Sequence, residues 1–329
     1  MFKIEKCDLC GDCLVRCPYI EYSRERAVEE FKELIDGGAP SILDLCVTCF
    51  ACNQFCEKGA RPFDLILKRQ EESGVPKIPE TNIELFRNLP LAPSEIIMGE
   101  PSRPVISLCS VGDLIPGLFE GEIFKGATLL KGGDYFCGIG WLHLGKEEPL
   151  REIAPRVISN LASQGAEEIV FYHDDCYTLI SSIAKEYGIE VPFRAKHIIE
   201  YLLELARGQA DKISPLGIRI AYQQPCASRY TPWKDSWLDE LFELLGVERV
   251  NRKYDRISAL CCGSPVVPRD RERAMEIRRT NVDDALSHGA QAIVYLCPLC
   301  YLSLKKVAAS AGLGNFHIIQ LVEKAFTGS

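Results

Sequence analysis

The chain has no surplus of positive charge: 38 Lys and Arg stand against 46 Asp and Glu in 329 residues, a formal net charge of −8. That excludes a general nucleic-acid binder, which needs basic excess to neutralise phosphates. It has no run of about 18 apolar residues, so no segment is expected to span a bilayer. The opening MFKIEKCDLC lacks an apolar secretory stretch, which predicts a cytoplasmic protein whose membrane contacts, if any, run through a partner. The phosphate-binding patterns Gly-x4-Gly-Lys-Ser/Thr and Gly-x-Gly-x-x-Gly are missing too. Lys125-Gly126, Lys131-Gly132-Gly133 and Gly138-Ile139-Gly140 are fragments that claim no nucleotide. No flavin signature occurs, so a two-electron donor is expected on another subunit. A hydrophobic content of 47% and a charged content of 26% are those of a globular protein, long enough for about two domains.

What the chain has is cysteine, sixteen of them. In a reducing compartment these are not a disulfide framework but metal ligands or redox groups. Cys7, Cys10, Cys13 and Cys17 follow C-x2-C-x2-C-x3-C, with Pro18 next. Cys46, Cys49, Cys52 and Cys56 repeat the spacing, with Glu57 next. This is the bacterial ferredoxin pattern, in which three close thiolates bind one [4Fe–4S] cube and the fourth binds the other. It assigns one cube to Cys7, Cys10, Cys13 and Cys56, and a second to Cys46, Cys49, Cys52 and Cys17. Zinc has no use for the doubled run. Helices are predicted from Ser23 to Asp36 and from Pro62 to Ser73, each stopped by glycine. Residues 1–74 thus read as a helical two-cluster ferredoxin domain, similar to the electron relays of multi-subunit respiratory enzymes.

Residues 75–104 carry six prolines and read as an extended linker, with a helical turn or two at 83–88. Beyond it the sequence repeats itself. Gly165-Ala166-Glu167-Glu168-Ile169-Val170-Phe171 matches Gly289-Ala290-Gln291-Ala292-Ile293-Val294-Tyr295, and Cys176 matches Cys300, both 124 residues apart. His197-Ile198-Ile199 matches His317-Ile318-Ile319, and Cys137-Gly138 matches Cys262-Gly263. Each copy, 105–210 and 211–329, reads as strand, helix, short strand, cysteine-glycine loop, long helix, strand and C-terminal helices. Short apolar strands alternating with helices predict α/β units with buried parallel strands, packed about a pseudo-two-fold axis.

The second copy holds Cys226, Cys261, Cys262, Cys297 and Cys300 in the order C-x34-C-C-G-x33-C-x2-C. Adjacent cysteines face opposite ways in a strand and can share a metal only in a loop, which Gly263 permits. Five thiolates exceed what zinc or a simple cube needs, so the set suggests an unusual cluster with a bridging thiolate and an iron open to chemistry. The arrangement resembles the cysteine-rich CCG domain of heterodisulfide reductases. The order of ferredoxin motifs followed by two CCG copies resembles the fused catalytic subunit of that family. Related modules occur in iron–sulfur subunits of anaerobic glycerol-3-phosphate dehydrogenase, lactate and glycolate oxidases and thiol-fumarate reductase. The resemblance implies a noncubane [4Fe–4S] cluster at the five cysteines, where a disulfide is cleaved.

The first copy departs from the pattern. Phe136 and His173 replace two cysteines, leaving Cys109, Cys137, His173 and Cys176. A Cys3His set suits zinc; an iron cluster with one histidine ligand and a site without metal are the alternatives. His197 and His317 read as helix-start residues rather than proton donors. Arg229, Lys234, Arg269, Arg271 and Arg273 lie near the second-copy cysteines in sequence and could hold an anionic substrate. For Arg271 and Arg273 a solvated helix face is the preferred reading.

Two functions follow as expectations. One is a disulfide reductase, fed by a flavin-containing or membrane cytochrome subunit and acting on a small thiol or disulfide. The other is an electron-transfer subunit that links a flavin dehydrogenase to a quinone or cytochrome and cleaves nothing itself.

Overall fold

In the computed structural model, which describes residues 1–328, the chain opens with a small helical module. Its helices are α1 (Asp12–Val15), α2 (Arg24–Ile35), α3 (Ile42–Leu45), α4 (Ala51–Phe55) and α5 (Pro62–Ser73). Ser23 caps α2 by accepting the Arg26 N–H, satisfying one of the free donors of the first turn. α5 begins at Pro62, where a missing N–H costs nothing, and ends at Gly74 with φ 66°. Ala27, Phe31 and Leu34 of α2 pack with Leu14, Ile42, Leu43, Leu65 and Ile66, so the module has a core of its own. Among the described residues the first strand begins only at Glu95.

Residues 75–104 differ from the expected extended linker. They form α6 (Glu80–Asn88), a 3-10 turn at Leu89–Leu91 and β1 (Glu95–Ile97). β1 pairs antiparallel with β3 (Thr128–Lys131) at the edge of the first sheet. The prolines shorten these elements without preventing them: Pro79 stands just before α6, and Pro93 precedes an edge strand, where a missing donor is tolerated.

The rest of the first unit comprises β2 (Val105–Cys109), α7 (Glu148–Ala162), β4 (Glu168–Phe171), α8 (Asp174–Thr178), α9 (Ala184–Glu186), β5 (Arg194–His197) and α10 (Ile198–Gly208). The second holds β6 (Ile218–Gln223), α11 (Lys234–Leu244), β7 (Val247–Arg249), α12 (Arg271–Ser287), β8 (Ala292–Tyr295), α13 (Pro298–Ser310), β9 (Gly314–His317) and α14 (Ile318–Thr327). The sheets run β1-β3-β2-β4-β5 and β7-β6-β8-β9. Without β1 the two orders correspond strand for strand, and all those pairings are parallel.

Two details depart from the repeat as the sequence presents it. Between β2 and β3 the first unit has only 3-10 turns, Gly112–Leu114 and Glu122–Phe124, where the second has α11. Pro116, Gly117 and Gly121 break that stretch up. β5 and β9 are strands that the sequence pattern does not predict, because Arg194-Ala195-Lys196-His197 and Gly314-Asn315-Phe316-His317 carry little apolar signal.

Val170 and Val294 of the sheets pack with Ile198, Leu202, Leu238, Leu241, Ile318 and Leu321 of α10, α11 and α14 in one core that spans both units. Burial of each such side chain stabilises by about 1.5–3 kcal/mol. The cysteine-bearing loops leave the carboxyl ends of parallel strands, where loops from neighbouring strands converge.

Candidate metal centres

The two four-cysteine loops of the N-terminal module share one backbone device. Leu9 and Thr48, just before the second cysteine of each run, are left-handed at φ 57° and 55°. Gly11 and Phe50, just after it, are left-handed at 76° and 62°. Alternating hand coils the chain tightly and turns successive sulfurs inward. Cys7, Cys10, Cys13 and Cys56 line one hollow of about 90 Å³. Cys17, Cys46, Cys49 and Cys52 line the next, with Cys13 on their shared wall. Burial pushes the Cys17 thiol up to about 12 and Cys49 and Cys52 well above the usual value. A bound cation offsets that cost by accepting thiolate charge. The donor sets, four converging sulfurs each, fit iron–sulfur clusters.

The five second-copy cysteines form a continuous series of thiols. Cys261 hydrogen-bonds Cys226 and Cys262, Cys262 bonds Cys300, and Cys300 bonds Cys297. Gly263 is left-handed at φ 78°, and a Cβ there would lie 2.7 Å from the Ala274 carbonyl oxygen, so the loop demands glycine. Cys297 is the N-cap of α13, whose N-terminus favours a thiolate. Hydrogen bonds from Cys300 and then His173 bring it down to about 7. Bonds from Cys261 and Cys300 hold Cys262 well below the usual thiol value. Cys226, Cys262, Cys297 and Cys300 open onto a cavity of about 670 Å³, walled by Phe86, Leu144, Val267, Leu299 and Leu302. Arg271 and Arg278 stand on its polar side, and the Arg278 Nε is buried without a partner. Four thiols on the wall of a large cavity suit a metal centre that a ligand can reach.

In the first copy the ligand atoms of Cys109, Cys137, His173 and Cys176 all lie within 4.8 Å of one another. Sulfurs about 2.3 Å from a tetrahedral zinc are separated by about 3.8 Å, so this is the scale of a single ion. All four residues are buried. Cys109 reaches the set by a left-handed backbone, φ 59°, at the bulged end of β2. Cys137 and Cys176 hold it well below the usual thiol value. His173 also reaches Cys297, so the two sites abut.

Three arginines differ from the expected solvated or substrate-holding roles. Arg269 donates to the carbonyls of Asp44 and Cys46, and Arg273 to those of Tyr19 and Leu45. Arg229 is buried and bonds Gln54, Arg256, Ile257 and Ala259. They fasten the N-terminal module to the second unit. Lys234 is buried in an ion pair with Asp174, which also faces His197 at 3.2 Å and accepts from Ser228. Arg271 alone of the group stays exposed, at the cavity wall. His197 and His317 are helix-start residues, each accepting the N–H two residues on.

His143 escapes a reading of the sequence. Its Nδ1 donates to the Thr48 carbonyl at 2.9 Å, and its ring stacks on Phe50 at 4.7 Å and 8°. It thereby braces both strained residues of the second four-cysteine loop and also lines the cavity. A lone histidine in a short 3-10 stretch, 95 residues from its partner, carries no motif to find it by.

Residues 220–305 match the cysteine-rich CCG domain family. The chain is 24% identical over 373 residues to a fumarate reductase (CoM/CoB) subunit of Methanothermobacter marburgensis, covering 98% of this chain and 71% of that protein. It is 23% identical to a dihydromethanophenazine:CoB–CoM heterodisulfide reductase subunit of Methanosarcina barkeri, covering 91% and 79%. In structure it is similar to a hypothetical protein from Helicobacter pylori, with TM-score 0.60 and 12% identity, over 90% of this chain and 66% of that one. That likeness concerns the fold alone. No helix among the described residues is long and apolar enough to cross a membrane. The chain carries a CCG domain and is homologous, at low identity but over most of its length, to these heterodisulfide reductase and fumarate reductase (CoM/CoB) subunits, which supports an iron–sulfur electron-transfer or oxidoreductase role.

Proposed function

We propose that this protein is the disulfide-cleaving subunit of an iron–sulfur oxidoreductase. The observation that carries the reading is the 670 Å³ cavity onto which Cys226, Cys262, Cys297 and Cys300 open. A centre that only relays electrons needs no such chamber. Iron–sulfur clusters, when bound, supply one-electron redox chemistry and, at the five cysteines, an iron that a substrate sulfur can approach.

The chain's own residues provide the layout. Cys7, Cys10, Cys13 and Cys56 lie outermost, with Cys10 exposed. Cys13 faces Cys52, and Cys49 faces Cys226, so the thiol groups succeed one another from the surface to the cavity. Cys109, Cys137, His173 and Cys176 would hold zinc, which would brace the unit behind Cys297 without redox work, since zinc has no accessible second oxidation state. Leu299, Leu302 and Val267 keep the cavity apolar, while Arg271 and Arg278 orient an anionic end of the substrate. Cleaving the S–S bond consumes two electrons and two protons and yields two thiols. The electrons come from a flavin-containing or membrane cytochrome partner. The relatives, each of them part of a larger enzyme, support a partner.

The alternative is an electron-transfer subunit without its own catalysis. Anaerobically purified, oxidised protein decides between them. Added thiol should produce a new paramagnetic signal that Cys300→Ser abolishes. Two reduced-cluster signals with no response to any thiol or disulfide would establish the relay instead.

A further inference from the structure

We infer that His143 is the proton carrier of the cavity, its Nε2 giving a proton to the sulfur that leaves when the substrate disulfide breaks. The inference rests on the reading that a disulfide is cleaved there.

Cleavage needs protons as well as electrons, and an aliphatic thiolate leaves slowly unless a proton meets it. Few side chains on the cavity wall carry a proton to give. The guanidinium groups of Arg271 and Arg278 do not release theirs. Ser303 commits its hydroxyl to the Cys262 carbonyl at 2.7 Å. Asp175 faces the Nε2 of His173 at 3.6 Å, the place of a carboxylate that orients a ligand histidine. His143 is the one histidine on the wall.

Thr48 fixes which nitrogen of His143 exchanges protons. A carbonyl oxygen only accepts, so Nδ1, 2.9 Å from the Thr48 carbonyl, keeps its hydrogen whether the ring is neutral or charged. Phe50 stacks on one face and holds the ring plane. Exchange is left to Nε2. That atom has no hydrogen-bond partner among the described residues and is not one of the buried polar atoms closed off from solvent, so it is open to the cavity the residue lines. The ring makes no hydrogen bond to a cysteine; its polar contacts are all with Thr48. The charged and titratable groups that face it are Asp175, Cys262 and Arg269. Burial holds it below the ordinary histidine value, which makes the imidazolium a willing donor. Two electrons from the partner break the S–S bond. The Nε2–H bond breaks as one S–H bond forms, and the neutral ring takes a new proton from solvent. The second proton reaches the other sulfur from solvent.

The test uses the full chain, purified anaerobically, with reduced methyl viologen as electron donor and two probe disulfides. Dithiodiglycolate yields aliphatic thiolates, which need a proton to leave; dithiobis(nitrobenzoate) yields aryl thiolates, which do not. His143→Asn keeps an N–H for the Thr48 carbonyl but has no titrating nitrogen. It should slow the aliphatic probe about 100-fold more than the aryl one. In the wild type the rate on dithiodiglycolate should fall as pH rises, with a midpoint below histidine's ordinary value of about 6.5, and the aryl probe should lack that fall. If the variant fails to fold, the wild-type pH comparison decides. Equal slowing of both probes, slowing of neither, or one pH profile for both overturns the inference and leaves disulfide cleavage standing. Wild-type protein that reduces neither probe overturns the cleavage reading and the inference with it.

Discussion

Arg269 donates to the carbonyl oxygen of Cys46 at 2.5 Å, across 223 residues of sequence. One turn further on, Arg273 reaches the Leu45 carbonyl at 3.0 Å. The second four-cysteine loop of the N-terminal module is thus held by the start of the helix that follows the adjacent-cysteine loop, and the docking is what brings Cys49 opposite Cys226.

Removing both guanidinium groups should loosen that dock. Arg269→Ala with Arg273→Ala is expected to cost about 3 kcal/mol, since each bond involves a charged donor. Urea unfolding checks the figure. Iron should be lost sooner from the set of Cys17, Cys46, Cys49 and Cys52 than from the outer set, read as decay of its EPR signal. Equal decay of both would refute the docking role.

Metal analysis of anaerobic protein should find about 12 iron per chain, from three four-iron clusters, and about one zinc. His173→Ala should release the zinc and leave the iron. Colourless protein, or iron lost together with the zinc, contradicts this division of labour.

The buried pair of Lys234 and Asp174 joins the two units. Asp174 is fully buried, so Lys234→Ala leaves a carboxylate with no cationic partner, facing only the Ser228 hydroxyl and the neutral His197 ring. Stability should fall by about 3–5 kcal/mol. Lys234→Ala combined with Asp174→Asn should recover part of that loss. A single variant as stable as the wild type would show that the pair contributes nothing.

His317 gives the protein an acid-sensitive cap. Its Nε2 donates to the Leu296 carbonyl at 2.6 Å, and its Nδ1 accepts the Ile319 N–H. Burial lowers it to about 4, against an ordinary value near 6.5. The folded state therefore holds the ring neutral while the unfolded chain takes up a proton. Its contribution is fully present above about pH 6.5 and is lost progressively as pH falls toward 4. At about pH 5 the loss should be about 2 kcal/mol relative to about pH 7.5. His317→Asn, which keeps a cap, should lack this component when urea midpoints are compared at the two pH values.

Much of the site was legible because local geometry alone demands it. The doubled C-x2-C-x2-C-x3-C run needs only left-handed residues around its second cysteine, and that requirement acts within three residues. Glycine after Cys262 and after Cys137 is legible for the same reason: both are left-handed in the fold. The helix limits at Ser23 and Gly74 rest on caps that act over one turn.

Other features depend on partners far away in the chain. Arg273 looks like an exposed helix residue until α12 lies against the N-terminal module. His143 has meaning only once Thr48 and Phe50 stand beside it. β5 and β9 lack the apolar signal of a strand, β1 is only three residues long beside prolines, and all three are held by backbone pairing to a sheet built elsewhere. Sequence by itself determined where the thiols group, the repeat and the helical nature of the first module, since these follow from short-range sterics and the spacing of the cysteines. Only the tertiary structure decided that Cys49 faces Cys226, that His173 abuts Cys297 and that the five-cysteine set opens onto a cavity. Those relations arise where elements distant in sequence pack together, and no local pattern encodes them.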